Sequence, residues 1–157
     1  MKRIALGLLA LLWMGSAGAT QYKTIDWDAL IPPAERNAPP PVVNHEGNPM
    51  SAPQPVGGVV KELDQKPVRL PGFVVPLEGD AKTITAFLLV PYFGACIHVP
   101  SPPTNQVIYV RFPKGAPVDD LWDAIWVKGT MKVVSSSHEM ANASYAMEAV
   151  EVAPYEE

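Results

Sequence analysis

The sequence predicts an all-β domain, and three observations carry that reading. From Val59 onward the apolar residues fall in short runs separated by turn residues, with no stretch of ten or more that holds a 3.6-residue period. The run Ile125–Val133 alternates: Ile125, Val127, Met131 and Val133 share one face, and Lys128, Thr130 and Lys132 share the other. The third observation is the order of the runs, five main strands with a single short helical candidate among them.

In chain order, Val59–Leu63 and Pro67–Val75 flank the turn residues Asp64-Gln65-Lys66, and Pro71-Gly72 suggests a bulge within the longer run. Thr83–Val90 follows, then Gln106–Phe112. Val118–Trp122 is the short helical candidate between the third and fourth strands, and Ile125–Val133 and Tyr145–Val152 complete the set. That order is the one of a small five-stranded OB-like barrel. An open sandwich of similar strand count competes with it, but closure explains how so short a chain avoids exposed sheet edges.

The first residues read as an export signal. Lys2 and Arg3 give a basic start, Ile4–Met14 an apolar stretch, and Ala17-Gly18-Ala19 a cleavage site, so the leader is expected to end between Ala19 and Thr20 and to place the chain in the periplasm. The apolar run is shorter than the roughly 18–20 residues that span a bilayer, so no stable membrane insertion is expected after cleavage. No cysteine follows it to accept a lipid. Cleavage leaves 138 of the 157 residues and moves the formal charge from −4 to −6 by removing Lys2 and Arg3. Such an acidic chain has no clustered cations for phosphate contacts, which excludes nucleic acid as a partner.

The mature chain divides into residues 20–55, an N-terminal segment and proline-rich arm, and 56–157, the OB-like domain. Residues 31–55 hold eight of the 18 prolines, a composition that suits an extended arm. Before it, Thr24–Ile31 reads as a capped helical turn that offers Ile25, Trp27, Leu30 and Ile31 for docking, either on its own domain or on a partner. A chain beginning near Pro55 is expected to fold without the arm.

Chemistry concentrates in Pro91–Gln106. Cys96 is the only cysteine, unusual in an oxidising compartment, where small domains use cysteines in pairs. On an extended backbone, residues two apart point to one side, so Cys96 and His98 are expected to converge on a borderline-soft ion such as zinc or copper. His138 is the expected third ligand; Glu139, His45, Met50 or water are the other candidates. Tyr92 and Phe93 form an apolar wall and, with Asn105 and Gln106, make the expected partner-binding residues. Two other readings stand beside this one: a small buried Cys96 that is inert, with a hydrogen-bonded His98, and a Cys–His nucleophile pair. No complete catalytic constellation is visible, so a non-enzymatic role leads.

Gly58–Asp64, Val68–Glu78 and Phe87–Pro100, with Trp126-Val127-Lys128-Gly129-Thr130 as the fourth-strand motif, resemble the exported bacterial family named domain of unknown function 3299 over about residues 56–154. Ser101 and Thr104 stand where the family pattern has prolines. The resemblance implies an exported OB-like domain with no assigned activity. It also implies a setting beside ABC transporter subunits in metal-responsive gene clusters, so an accessory role in zinc or copper handling, with a transporter component or another periplasmic protein as partner, is expected. The leader reading is checked by mass spectrometry of protein released from the periplasm, which should find Thr20 first; full-length chain in the membrane fraction would refute it.

Overall fold

The computed structural model describes residues 20–37, 53–80, 82–96, 101–117 and 123–156. The leader (1–19), His45, Met50, His98 and the helical candidate Val118–Trp122 lie outside the described residues. Six strands form one sheet: β1 (Lys23–Thr24), β2 (Pro67–Gly79), β3 (Thr83–Val90), β4 (Ile108–Pro117), β5 (Ile125–Ser137) and β6 (Asn142–Pro154). Their order is β1-β2-β3-β4-β6-β5, and β5 returns to pair with β2, which closes β2 to β6 into a five-stranded barrel. All barrel pairings are antiparallel except β4–β6, which is parallel from Ile108↔Tyr145 to Arg111↔Glu148.

Alternation places the core as expected. Ile125, Val127 and Met131 of β5 are fully buried, with Val133 packed against them, while Trp126, Lys128 and Thr130 on the other face are only half-buried. They meet Val68 and Leu70 of β2, Phe87 and Leu89 of β3, Val110 of β4, and Tyr145 and Met147 of β6 in the barrel interior. The strand β2 serves two neighbours in succession, pairing with β5 from Pro67 to Gly72 and with β3 from Phe73 onward. The irregularity foreseen at Pro71-Gly72 lies further on, between Pro76 and Gly79. Gly72 instead marks a close crossing, because a Cβ there would stand 2.9 Å from Trp27 Cζ2 and 2.8 Å from Leu89 Cγ.

The strand expected at Val59–Leu63 is a 3-10 turn, Lys61–Leu63. Its own bonds are local, Leu63 N to Val60 O and Asp64 N to Lys61 O, and the residues that follow are tied to the middle of β5: Gln65 N donates to Met131 O, Lys66 O accepts from Met131 N, and Asp64 accepts from Val133 N. The strand expected from Gln106 likewise begins later, as β4 at Ile108, because Thr104–Gln106 forms another 3-10 turn.

The N-terminal segment packs on its own barrel. Asp26 caps the 3-10 turn Trp27–Leu30 by accepting from Ala29 N at 3.0 Å. The turn places Leu30, fully buried, and Ile25 in the barrel core, and Trp27 Nε1 donates to Pro71 O at 2.8 Å. Ahead of it, β1 runs parallel to β2 along the stretch that β3 does not reach.

The residues after the proline-rich stretch come back to the same place. Gly58 N donates to Glu35 at 3.0 Å, so residues 20–37 and 53–60 form two legs of one strap rather than a linker running away from the domain. The buried Tyr145 hydroxyl ties both legs, donating to Leu30 O at 2.9 Å and accepting from Val60 N at 2.7 Å.

Because the strap supplies core residues, a chain starting near Pro55 leaves the Leu30 site empty and the Tyr145 hydroxyl without one of its two partners. Such a chain should lose its cooperative unfolding transition. In the full-length protein, Leu30→Ala should cost about 2–5 kcal/mol through the cavity it opens, and Tyr145→Phe about 1–3 kcal/mol through two lost hydrogen bonds. Urea denaturation checks both; a Leu30→Ala midpoint equal to that of the parent would show that the strap does not contribute to the core.

Candidate functional site

A second, smaller apolar cluster lies apart from the barrel core. Val75 of β2, Leu88 and Val90 of β3 and Val107 pack with Ala95, Cys96, Ala141 and Ala143, with Phe73, Leu77 and Tyr109 at the margin. Ala95 and Cys96 come from the loop following β3, Ala141 from the connection between β5 and β6, and Ala143 from the start of β6. Alternation explains the geometry: on β3, Phe87 and Leu89 enter the barrel while Leu88 and Val90 face this outer cluster.

Cys96 is 4% exposed and sits in a turn, not on an extended stretch. Its φ of 67° is left-handed, as is that of Gly94 at 78°. The premise that brought Cys96 and His98 to one side was an extended backbone, and at Cys96 that premise fails; the position of His98 lies outside the described residues. Burial pushes the Cys96 thiol above its ordinary pKa, and a hydrogen bond from Ser101 offsets part of the effect. A thiol so placed is protonated and shielded at neutral pH, the opposite of an activated nucleophile.

His138 is held in the connection between β5 and β6. Its ring stacks on Tyr109 with centroids 4.3 Å apart and planes at 22°, and Nε2 lies 3.0 Å from Ser136 Oγ. Its backbone N–H donates to Ala141 O. Partial burial lowers its pKa below 6.5, with Glu78 opposing weakly, so the imidazole is neutral at pH 7. Tyr109 borders the same outer cluster that contains Cys96, which puts both residues on one side of the barrel. Among the described residues no three of His, Cys, Asp and Glu converge as a metal site would require.

Around this cluster the surface is apolar. Phe93 is 62% exposed, Tyr92 42% and Met140 36%, and Phe93 meets Phe73 edge-on at 6.0 Å. The Cys96 charge, were it to form, would bear on the Tyr92 hydroxyl, whose pKa is raised mainly by burial. The Ser101 hydroxyl donates to Met140 O at 3.3 Å, so the two loops are joined on this side of the barrel.

Asn105 and Gln106 do not present themselves to a partner. Asn105 is 3% exposed and its amide donates to Gly58 O at 2.8 Å, while Gln106 Nε2 donates to Trp27 O at 3.0 Å. Thr104 adds a bond from its N–H to Pro55 O and accepts from Gly57 N and Ser144 Oγ. These three residues hold the strap. Sequence reading missed Gln54, Phe73 and Met140 at the outer face; Phe73 alone was signalled, by its alternation with Val75 and Leu77.

Residues 27–154 match the family described as "Protein of unknown function (DUF3299)". The chain belongs to the DUF3299 family. The match starts at Trp27, so the DUF3299 match takes in most of the strap as well as the barrel. The chain is also similar to a crystal structure of a DUF3299 family protein from Pseudomonas aeruginosa PAO1, at 45% identity and a TM-score of 0.75, over 87% of this chain and 98% of that one. No curated protein matches the chain.

The protonation of His138 has a definite sign. Its folded pKa lies below the unfolded value, so unfolding takes up a proton in the window between them; this group's contribution is complete above the unfolded value near 6.5 and is lost as pH falls toward the folded one. An NMR titration of the ring should therefore give a midpoint below 6.5. A midpoint above 6.5 would mean that Glu78, not burial, dominates.

Proposed function

We propose that this protein is an exported, non-enzymatic accessory protein that acts by binding, and that its outer face around Cys96 docks a periplasmic component of an ABC transporter concerned with transition metals. The observation that carries the docking surface is the group Tyr92, Phe93 and Met140, three large apolar side chains left exposed around a buried cysteine. Aromatic residues and methionine are the side chains that most often anchor protein interfaces, because they bury much area at small conformational cost. The transporter setting rests on the family resemblance. A thiol enzyme is disfavoured by the raised thiol pKa and by a His138 that spends Nε2 on Ser136.

The docking reading is tested in cells with a photoreactive amino acid in place of Phe93. It should capture a transporter subunit, and the same reagent at Val150, exposed on β6, should not. No transporter adduct at position 93, or an equal yield at 150, refutes the reading.

A second reading is metal binding by Cys96 and His98, with His138 as third ligand. What favours it is that His138 carries a neutral imidazole on the side of the barrel where Cys96 sits. Ligation requires a thiolate, so the protonated, buried Cys96 would have to lose its proton, and binding should weaken as pH falls. Calorimetry with Zn(II) and competition titration with Cu(I) test it. A dissociation constant weaker than roughly micromolar, or one unchanged in the Cys96→Ser, His98→Ala double variant, overturns it.

A further inference from the structure

The second leg of the strap ends against the proposed docking face, and one side chain makes the connection. The Gln54 amide Nε2 donates to Pro102 O at 2.9 Å and to Asn142 O at 2.9 Å, and its Oε1 accepts from Asn142 N at 2.7 Å. A single primary amide thus joins three segments that are far apart in sequence, using both donor hydrogens and the acceptor. Pro102 follows Ser101, whose hydroxyl donates to Met140 O. Asn142 opens β6 directly after the turn that carries His138 and Met140. The loop holding Cys96 and the hairpin end holding Met140 are therefore set against each other through the strap.

We propose that Gln54 is a clasp through which docking of the strap's second leg controls how the Cys96–Met140 face is presented. This regulation rests on the reading of that face as the binding surface, but the clasp itself can be tested without any partner. The stretch from Gln54 to Gly58 is suited to the role because its other anchors are few and polar: Gly57 N to Thr104 Oγ1, Gly58 N to Glu35, Gly58 O from Asn105, and the one backbone bond from Thr104 N to Pro55 O, while Val60 stays tied to the Tyr145 hydroxyl. Segments held by a few polar contacts at the surface open at lower free energy than the barrel they lie on. A partner that lifted the leg would release Pro102 and Asn142 together and leave the barrel ladders intact. Gln54 is thus a positioning residue for Met140 and for the loop over Cys96.

The test uses full-length mature protein carrying Gln54→Ala or Gln54→Glu, with Val56→Ser as control, since Val56 is 88% exposed two residues away. The probe for Cys96 is a neutral aromatic disulfide, and amide hydrogen exchange is followed in parallel. In Gln54→Ala the thiol should react about tenfold faster, and exchange should rise by a similar factor at Ala141, Asn142 and Thr104 while Leu88 and Val127 stay protected. Gln54→Glu keeps an acceptor for Asn142 N but sets a carboxylate oxygen against the carbonyls of Pro102 and Asn142, so it should open the clasp at least as far as Ala. A general loss of stability would instead raise exchange at Leu88 and Val127 in step with the rest. Thiol reactivity and exchange in Gln54→Ala equal to those of Val56→Ser, or an increase shared by the barrel strands, overturns the clasp. Failure of the transporter crosslink with an intact clasp result would count against the docking reading alone.

Discussion

A small closed barrel has to be sealed at its ends, since its strands cover the core only from the sides. Here part of that seal is the strap, and the buried Tyr145 hydroxyl holds it by donating to Leu30 O and accepting from Val60 N. Tyrosine suits the position because its ring fills the barrel interior while its hydroxyl reaches backbone groups that would otherwise be buried without partners. With Leu30 seated, Trp27 can lie across Gly72 and reach Pro71 O, and the two legs can meet at Glu35 and Gly58. Among the described residues no buried side-chain polar atom is left unsatisfied.

Sealing the barrel in this way has a consequence on its outer side. The turn Thr104–Gln106, which clamps the strap through Asn105 and Gln106, also fixes where the loop after β3 must return. That loop carries Cys96 and covers Val75, Leu88 and Val90. The β5–β6 connection and the start of β6 close the same patch from the other side with Ala141 and Ala143. What remains outside is the apolar rim of Tyr92, Phe93 and Met140, so the strap, the loop and the exposed face form one mechanically continuous arrangement.

The opposite character prevails on the outer surface of β5. There Arg69 lies 3.9 Å over Trp126, Tyr155 meets the same indole at 5.2 Å, and Lys128 pairs with Glu151 at 2.6 Å. These exposed side chains are engaged with one another and contribute little stability each. Tyr155 and Val150 are exposed there as well, but Tyr155 is engaged with Trp126, whereas Phe93 near Cys96 keeps 62% of its surface exposed.

The sequence by itself determined the strands, because alternation is local: Ile125, Val127 and Met131 declare a buried face without reference to any other part of the chain. It also supplied the succession of runs along the chain, and hence a small five-stranded barrel, but not that β6 lies between β4 and β5 in the sheet. It could not show that Val59–Leu63 is a turn, since five apolar-rich residues suit either form and the choice was made by the bonds from Gln65 and Lys66 to Met131. Nor could it place the strap: Leu30 reaches its core site across 115 residues to Tyr145, and nothing near Leu30 in sequence encodes that distance. The site was legible only in part. Cys96, Tyr92 and Phe93 stood out by residue type, but the left-handed turn at Cys96, the inward use of Asn105 and Gln106, and the joining of Gln54 to Pro102 and Asn142 follow from long-range packing, which decides where each polar group must find its partner.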